Sequence, residues 1–167
     1  MPEYYQLIKQ QYLNTRGDST ELFNLILQAS TEIGMDQALA YLEQCVIEKR
    51  LVWLKENCTE KARADDPLME GYHWFYERYL RISVLADGEI IEQSEKRLVM
   101  RWRNHCPTLD ACQKLGLDTR EVCMKAYERP VEEFLKAIHP KLRFERNYEH
   151  IRPYAAFCEE IILLIDQ

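Results

Sequence analysis

The sequence lacks most of the signals that would name a function outright. No stretch of about 18 apolar residues occurs in it, so no transmembrane helix is expected. Met1–Gln11 contains no apolar core of signal-peptide type, and the chain reads as cytoplasmic. There is no run rich in Lys and Arg. Basic residues number 22 against 28 acidic ones, for a formal charge of −6. That balance argues against nucleic acid and against an anionic membrane surface as partners. The phosphate-loop, dinucleotide, HExxH and GxSxG patterns are all missing, and no CxxC pair of the common zinc type occurs. No internal repeat or low-complexity segment is present.

What the chain does have is six cysteines in 167 residues. In a reducing compartment these stay as thiols, which leaves buried side chains, metal ligands or a nucleophile. The length fits one domain, with residues 1–85 expected as a mainly helical layer and 86–167 as an α+β half that carries most of the cysteines.

Helical periodicity dominates the first part. Asp18-Ser-Thr-Glu21 has capping-box spacing ahead of Leu22, Phe23, Ile26 and Leu27, and Gly34 is placed to end that helix. Met35, Ala38, Leu39, Leu42, Cys45, Val46 and Trp53 form the stripe of a second helix, so Cys45 reads as core. Cys58, at the fraying end, has no assigned role. Thr59–Pro67 reads as a surface loop. In "GYHWFYERYLRI" (71–82), Tyr72, Phe75, Tyr76 and Tyr79 recur at helical spacing. The stripe either packs on a sheet or forms a pocket wall that stacks a planar ligand, with Tyr72 and Tyr76 as the ligand-binding candidates.

After the turn "ADG" (86–88) the period changes to two. In "RLVMRWRN", Leu98, Met100 and Trp102 point one way and Arg97, Val99, Arg101 and Arg103 the other. "EIIEQ" should pair with this strand as a hairpin. "KLRFERNY" alternates too, and "FCEEIILLI" reads as the last strand. Between them Asp118-Thr-Arg-Glu121 predicts a helix from about Thr119, Pro130 should restart or kink it, and His139-Pro140 should end it. The expected fold is α+β: helices first, then β-β-α-α-β-β, with helices packed on a four-stranded antiparallel sheet.

Cys106 falls where a strand gives way to a helix. Pro107 suits the first helical turn and Gly116 its end. A thiol at a helix N-terminus meets unsatisfied N–H groups and the positive end of the macrodipole, both of which favour the thiolate. His105 is adjacent. With Arg101 and Arg103 it would line one side of the strand, either as a carboxylate-binding wall or as an ordinary solvated face. Cys123 and Cys158 could join Cys106 in a metal site only if the fold assembled one, and zinc or iron–sulfur is the cofactor open under that alternative.

"NHCP" at a strand end, the cysteine of "TREVC" and that of "FCEE" together resemble the C-terminal pattern of L-2-amino-thiazoline-4-carboxylic acid hydrolase-like proteins, and more distantly the 4-vinyl reductase domains. The resemblance covers about Glu89 to Leu164. It implies a cytosolic domain that opens a C–N bond in a small cyclic amino acid or binds a small molecule, with Cys106, Cys123 and Cys158 at the matching positions. "RPYAAFC" stands where those families show a Gly-Asp turn. The leading expectation is a small-molecule hydrolase-like domain. Cys106 is its nucleophile, His105 or a neighbouring acid moves the proton, and Arg101 and Arg103 hold a carboxylate. The alternatives are a non-catalytic binding or sensing domain using the three cysteines, and a helix-presenting partner module with structural cysteines. A small-molecule ligand is the expected partner, and a homo-oligomer stays open.

Overall fold

Apolar stripes and turn residues place the helices. In the computed structural model, which describes residues 2–58 and 65–166, α1 (Pro2–Asn14), α2 (Thr20–Ile33) and α3 (Met35–Asn57) lead the chain. The start of α2 differs slightly from a capping box. Ser19 occupies the cap position without a side-chain bond, and Asp18 Oδ1 accepts from Thr20 N and Oγ1. Gly34, at φ 84°, ends α2 as expected. Of the surface loop expected at 59–67, residues 59–64 lie outside the described residues. Asp66 then caps α4 (Pro67–Tyr72) by accepting from Met69 N. The helix continues through π-helical turns, His73–Leu80, to a left-handed cap at Arg81.

Strand alternation then sets the sheet. β1 (Gly88–Gln93) and β2 (Arg97–Trp102) form the expected hairpin; α5 (Pro107–Leu115) and α6 (Thr119–Val122) follow. π-helical turns at Cys123–Tyr127 lead into α7 (Glu128–Ile138). They lie just ahead of Pro130, whose ring removes a donor to the carbonyl four residues earlier. α7 stops before His139-Pro140. β3 (Leu142–Asn147) and β4 (Cys158–Leu164) complete an antiparallel sheet of order β1-β2-β4-β3. The fold is therefore mixed helix and sheet, with N-terminal helices preceding the strands.

Two compact units make up the chain: Met1–Glu48 with His105–Pro130, and Lys49–Asn104 with Val131–Gln167. Each has its own core. In the first, Ile8, Phe23, Ile26, Leu39, Leu42, Cys45 and Val46 meet Ala111, Cys112, Val122 and Ala126. The helices α1, α2 and the start of α3 thus build a core with α5 and α6. In the second unit Leu54, Leu68, Tyr72, Phe75, Tyr76, Phe134 and Leu135 cover the sheet face that presents Leu98, Met100, Trp102, Leu142, Phe144 and Ile162. Gly88 sits at the start of β1 because a Cβ there would lie 2.1 Å from the Arg101 carbonyl oxygen. Among the described residues no helix is long and apolar enough to cross a membrane.

Candidate functional site

Cys106 is the N-cap residue of α5. Its backbone is extended (φ −128°, ψ 107°), Pro107 opens the first turn, and Sγ accepts from Leu109 N at 3.5 Å. Gly116, at φ 69°, ends the helix. The thiol is half-buried. A sulfur here takes up one of the donors that a helix N-terminus leaves unpaired inside the helix. His105 Nδ1 lies 3.5 Å from Asp110 Oδ2, a carboxylate in the first turn of the same helix. Cysteine, histidine and acid thus occur within six consecutive residues of the first unit.

The other thiols of this unit differ. Burial pushes the Cys45 thiol up to about 11, with the Glu48 carboxylate adding to the shift. Burial likewise pushes Cys112 up to about 12, reinforced by negative charge at Cys106 and Asp118. Both side chains sit in the apolar core, as the sequence expected of Cys45. All six cysteines are thiols rather than disulfides.

β2 delivers Arg101 to the sheet face opposite Trp102; the strand ends at Trp102, so Arg103 and His105 lie beyond it, and His105 belongs to the first unit. The arginines hold carboxylates of the chain itself. Arg101 Nε donates to Glu159 Oε1 at 3.0 Å, and Arg103 Nη2 donates to Glu89 Oε1 at 3.2 Å. Both guanidinium groups lie over the Phe157 ring, at 4.3 and 5.6 Å from its centroid. Glu159 sits between Arg101 and Asn147 in register. Burial pushes its carboxyl up, but hydrogen bonds from Asn147 and Arg101 and the charge of Arg101 outweigh this and hold it below the usual range.

Its neighbour Glu160 points to the helix-covered face. There it accepts from the Tyr76 hydroxyl at 2.7 Å and from Arg146 Nε at 3.2 Å. Adjacent glutamates of one strand therefore anchor a polar cluster on each face of the sheet.

The aromatic stripe belongs to the core. Tyr72 and Tyr76 are buried, and both rings stack on Trp102. Tyr76, expected as one side of a ligand pocket, is 1 % exposed with its hydroxyl on Glu160. Tyr72 accepts from Val84 N and borders a groove of about 460 Å³ with Asp65, Asp66, Glu70, His73 and Glu77.

The expected cysteine trio is divided: Cys106 and Cys123 belong to the first unit and Cys158 to the second. Cys123 opens the π-helical turns before α7. Cys158 Sγ accepts from Arg152 N at 3.4 Å and from Arg152 Nε at 3.3 Å. Among the described residues, no group of three or more His, Cys, Asp or Glu side chains could hold a metal ion.

Three residues stand out that sequence reasoning did not single out. Asp110 lies four positions after Cys106, one helical turn away. Glu159 is reached through strand register. Arg152 is fixed by donating to the Asn104 carbonyl at 2.6 Å as well as to Cys158. Only the Asp110 spacing is a local signal. The chain matches no family model, and no curated protein or solved structure is similar to it.

Proposed function

We propose that the protein is a small-molecule hydrolase-like domain in which the Cys106 thiolate attacks the C–N carbon of a small, carboxylate-bearing cyclic amidine or thioimidate. The observation that supports this is the seat of Cys106 at the N-cap of α5, with a donor aimed at its sulfur and a His105–Asp110 pair in the same six residues. A nucleophile, a proton carrier and an acid beside that carrier are the parts that thiol catalysis uses.

In the proposed step the sulfur lone pair forms an S–C bond and the C=N electrons move to nitrogen, which takes a proton from His105. The lone pair of the other heteroatom on that carbon then expels the ring nitrogen, which takes a second proton from solvent, so that the ring C–N bond breaks and an amine is left. Water attacks the S-linked carbon and gives a proton to the imidazole, and the C–S bond breaks with its electrons returning to the thiolate. A reducing compartment such as the cytoplasm keeps this thiol available.

Mass-mapped alkylation of the folded protein tests the reading. Relative to the ordinary 9.0, the values of about 11 at Cys45 and about 12 at Cys112 correspond to roughly a hundredfold and a thousandfold less thiolate. Cys106 should therefore react before Cys45 and Cys112, and a Cys106 no faster than Cys45 would remove the nucleophile.

A second reading, a binding domain without chemistry, is favoured by one observation. Arg101 and Arg103, expected to hold a substrate carboxylate, already hold Glu159 and Glu89.

A further inference from the structure

One end of the sheet, within the second unit, holds a cavity of about 700 Å³, a size usual for a small-molecule site. It lies where β1 turns into β2, where the turn after α7 leads into β3 and where β4 ends, with the head of α4 beside it. Leu68 and Leu98, both buried, and Leu164 give it an apolar floor. The step proposed for Cys106, in the other unit, uses none of these side chains.

The charged groups at the rim are sorted along the sheet end. The strand order β1-β2-β4-β3 puts the β1–β2 turn, with Glu95, toward one edge and the start of β3, with His139 and Lys141, at the other. Asp65 and Asp66 join the Glu95 side. Asp66 Oδ1 accepts from Met69 N at 3.3 Å, and Met69 Sδ accepts from Gln93 Nε2, at the end of β1, at 3.6 Å. On the opposite side His139 Nδ1 accepts from Lys141 N at 3.2 Å, so Nε2 carries the ring proton and is a donor. Between the two sides Lys96 Nζ and Asp166 Oδ2 pair at 2.9 Å. The hydrogen bond and charge of Lys96, with the charge of Lys141 added, hold the Asp166 carboxyl below its ordinary range. One side thus carries carboxylates and the other an ammonium and an imidazole N–H, with apolar floor between.

Adjacent strands lie about 4.8 Å apart, so the two sides are about 12 Å apart along the sheet end. Side chains reaching inward shorten the gap between opposed charges to about 7 Å, the span of two extended residues. We infer that this cavity binds a short peptide with free termini and apolar side chains, of dipeptide length, its ammonium toward Asp65 and Asp66 and its carboxylate toward Lys141 and His139. The Cys106 chemistry neither supplies nor needs this site.

Titrating leucyl-leucine into the isotope-labelled full chain, followed by amide chemical shifts, tests this. Saturating shifts are expected at the amides of Ser94, Lys96, Lys141 and Ile165, which border the cavity. N-acetylation and C-amidation of the dipeptide should each weaken binding about two- to fivefold, the range an exposed ion pair supplies. Lys141→Met should weaken the free dipeptide by a similar factor and leave the C-amide unchanged. Asp65→Asn with Asp66→Asn, in which asparagine keeps the cap of α4, should weaken the free dipeptide and leave the N-acetyl form unchanged. Circular dichroism verifies the fold of each variant, and the blocked dipeptides keep the comparison on the wild-type chain if a variant does not fold. The absence of saturating shifts at these amides, or shifts centred on α5 instead, would overturn the site while leaving the Cys106 reading standing. Equal binding of the free and doubly blocked dipeptides, or equal losses for every form in both variants, would overturn the recognition of two opposed termini.

Discussion

Removing the Tyr76 hydroxyl probes the cluster on the helix-covered face of the sheet. Tyr76→Phe keeps the ring and its stacking on Trp102, whose centroid is 4.8 Å away, and deletes only the oxygen that donates to Glu160. No cavity of any size results. The loss is one hydrogen bond to a charged, part-buried acceptor, worth about 1.5–3 kcal/mol. Glu160→Gln keeps the volume but neutralises the charge that faces Arg146, whose side chain is 7 % exposed. Breaking a buried pair from one side costs about 3–5 kcal/mol, because the remaining charge stays desolvated. Replacing both partners, Glu160→Leu with Arg146→Met, removes the charges together and should recover most of that loss.

The assay is urea unfolding followed by tryptophan fluorescence. Trp53, Trp74 and Trp102 all belong to the second unit, so the signal reads the unit that holds the cluster. The expected order of stability is wild type, Tyr76→Phe, then Glu160→Gln, with the double variant above Glu160→Gln. A Glu160→Gln variant at least as stable as Tyr76→Phe would refute the charge argument, as would a double variant no better than Glu160→Gln.

Two further outcomes follow from the same unit. Gly88→Ala should destabilise it by about 2 kcal/mol or more, because the new Cβ meets the Arg101 carbonyl oxygen, a backbone atom that cannot swing aside; urea midpoints of wild type and variant check this, and equal midpoints contradict it. Glu159 is held below its ordinary value of 4.5, so its contribution is complete above that pH and is lost as pH falls through the lower folded value; the stability gap between wild type and Glu159→Gln should therefore be constant near neutrality and close on acidification, and a gap that widens in acid would contradict the assignment.

Local pattern made much of the fold legible. The alternation of Leu98, Met100 and Trp102 against Arg97, Val99 and Arg101 marked β2, and Leu142 and Phe144 marked β3 in the same antiparallel sheet. Cys106-Pro107 and Gly116 marked both ends of α5 through cap chemistry. Periodicity gives the face of a helix but not its partner. The stripe of α3 supplies Leu39, Leu42 and Val46 to one core and Leu54 to another, and nothing in its spacing marks the change. The arginine face was visible, but its occupants were not. Glu159 meets Arg101 only because β4 lies between β2 and β3, which is a matter of long-range register. The aromatic stripe on the helix before β1 had two readings, sheet packing and a pocket wall, and the Glu160–Arg146 cluster that anchors Tyr76 lies about seventy residues or more further along the chain.

The central claim is that Cys106 forms a bond to substrate carbon. Incubating the folded protein with a small cyclic amidine carboxylate, then following intact mass with peptide mapping and release of the amine product, tests it directly. The account predicts a transient adduct on Cys106, amine release, and loss of both in Cys106→Ser with the fold retained. Amine release that persists undiminished in Cys106→Ser, or neither adduct nor release in wild type across a panel of such compounds, would contradict it.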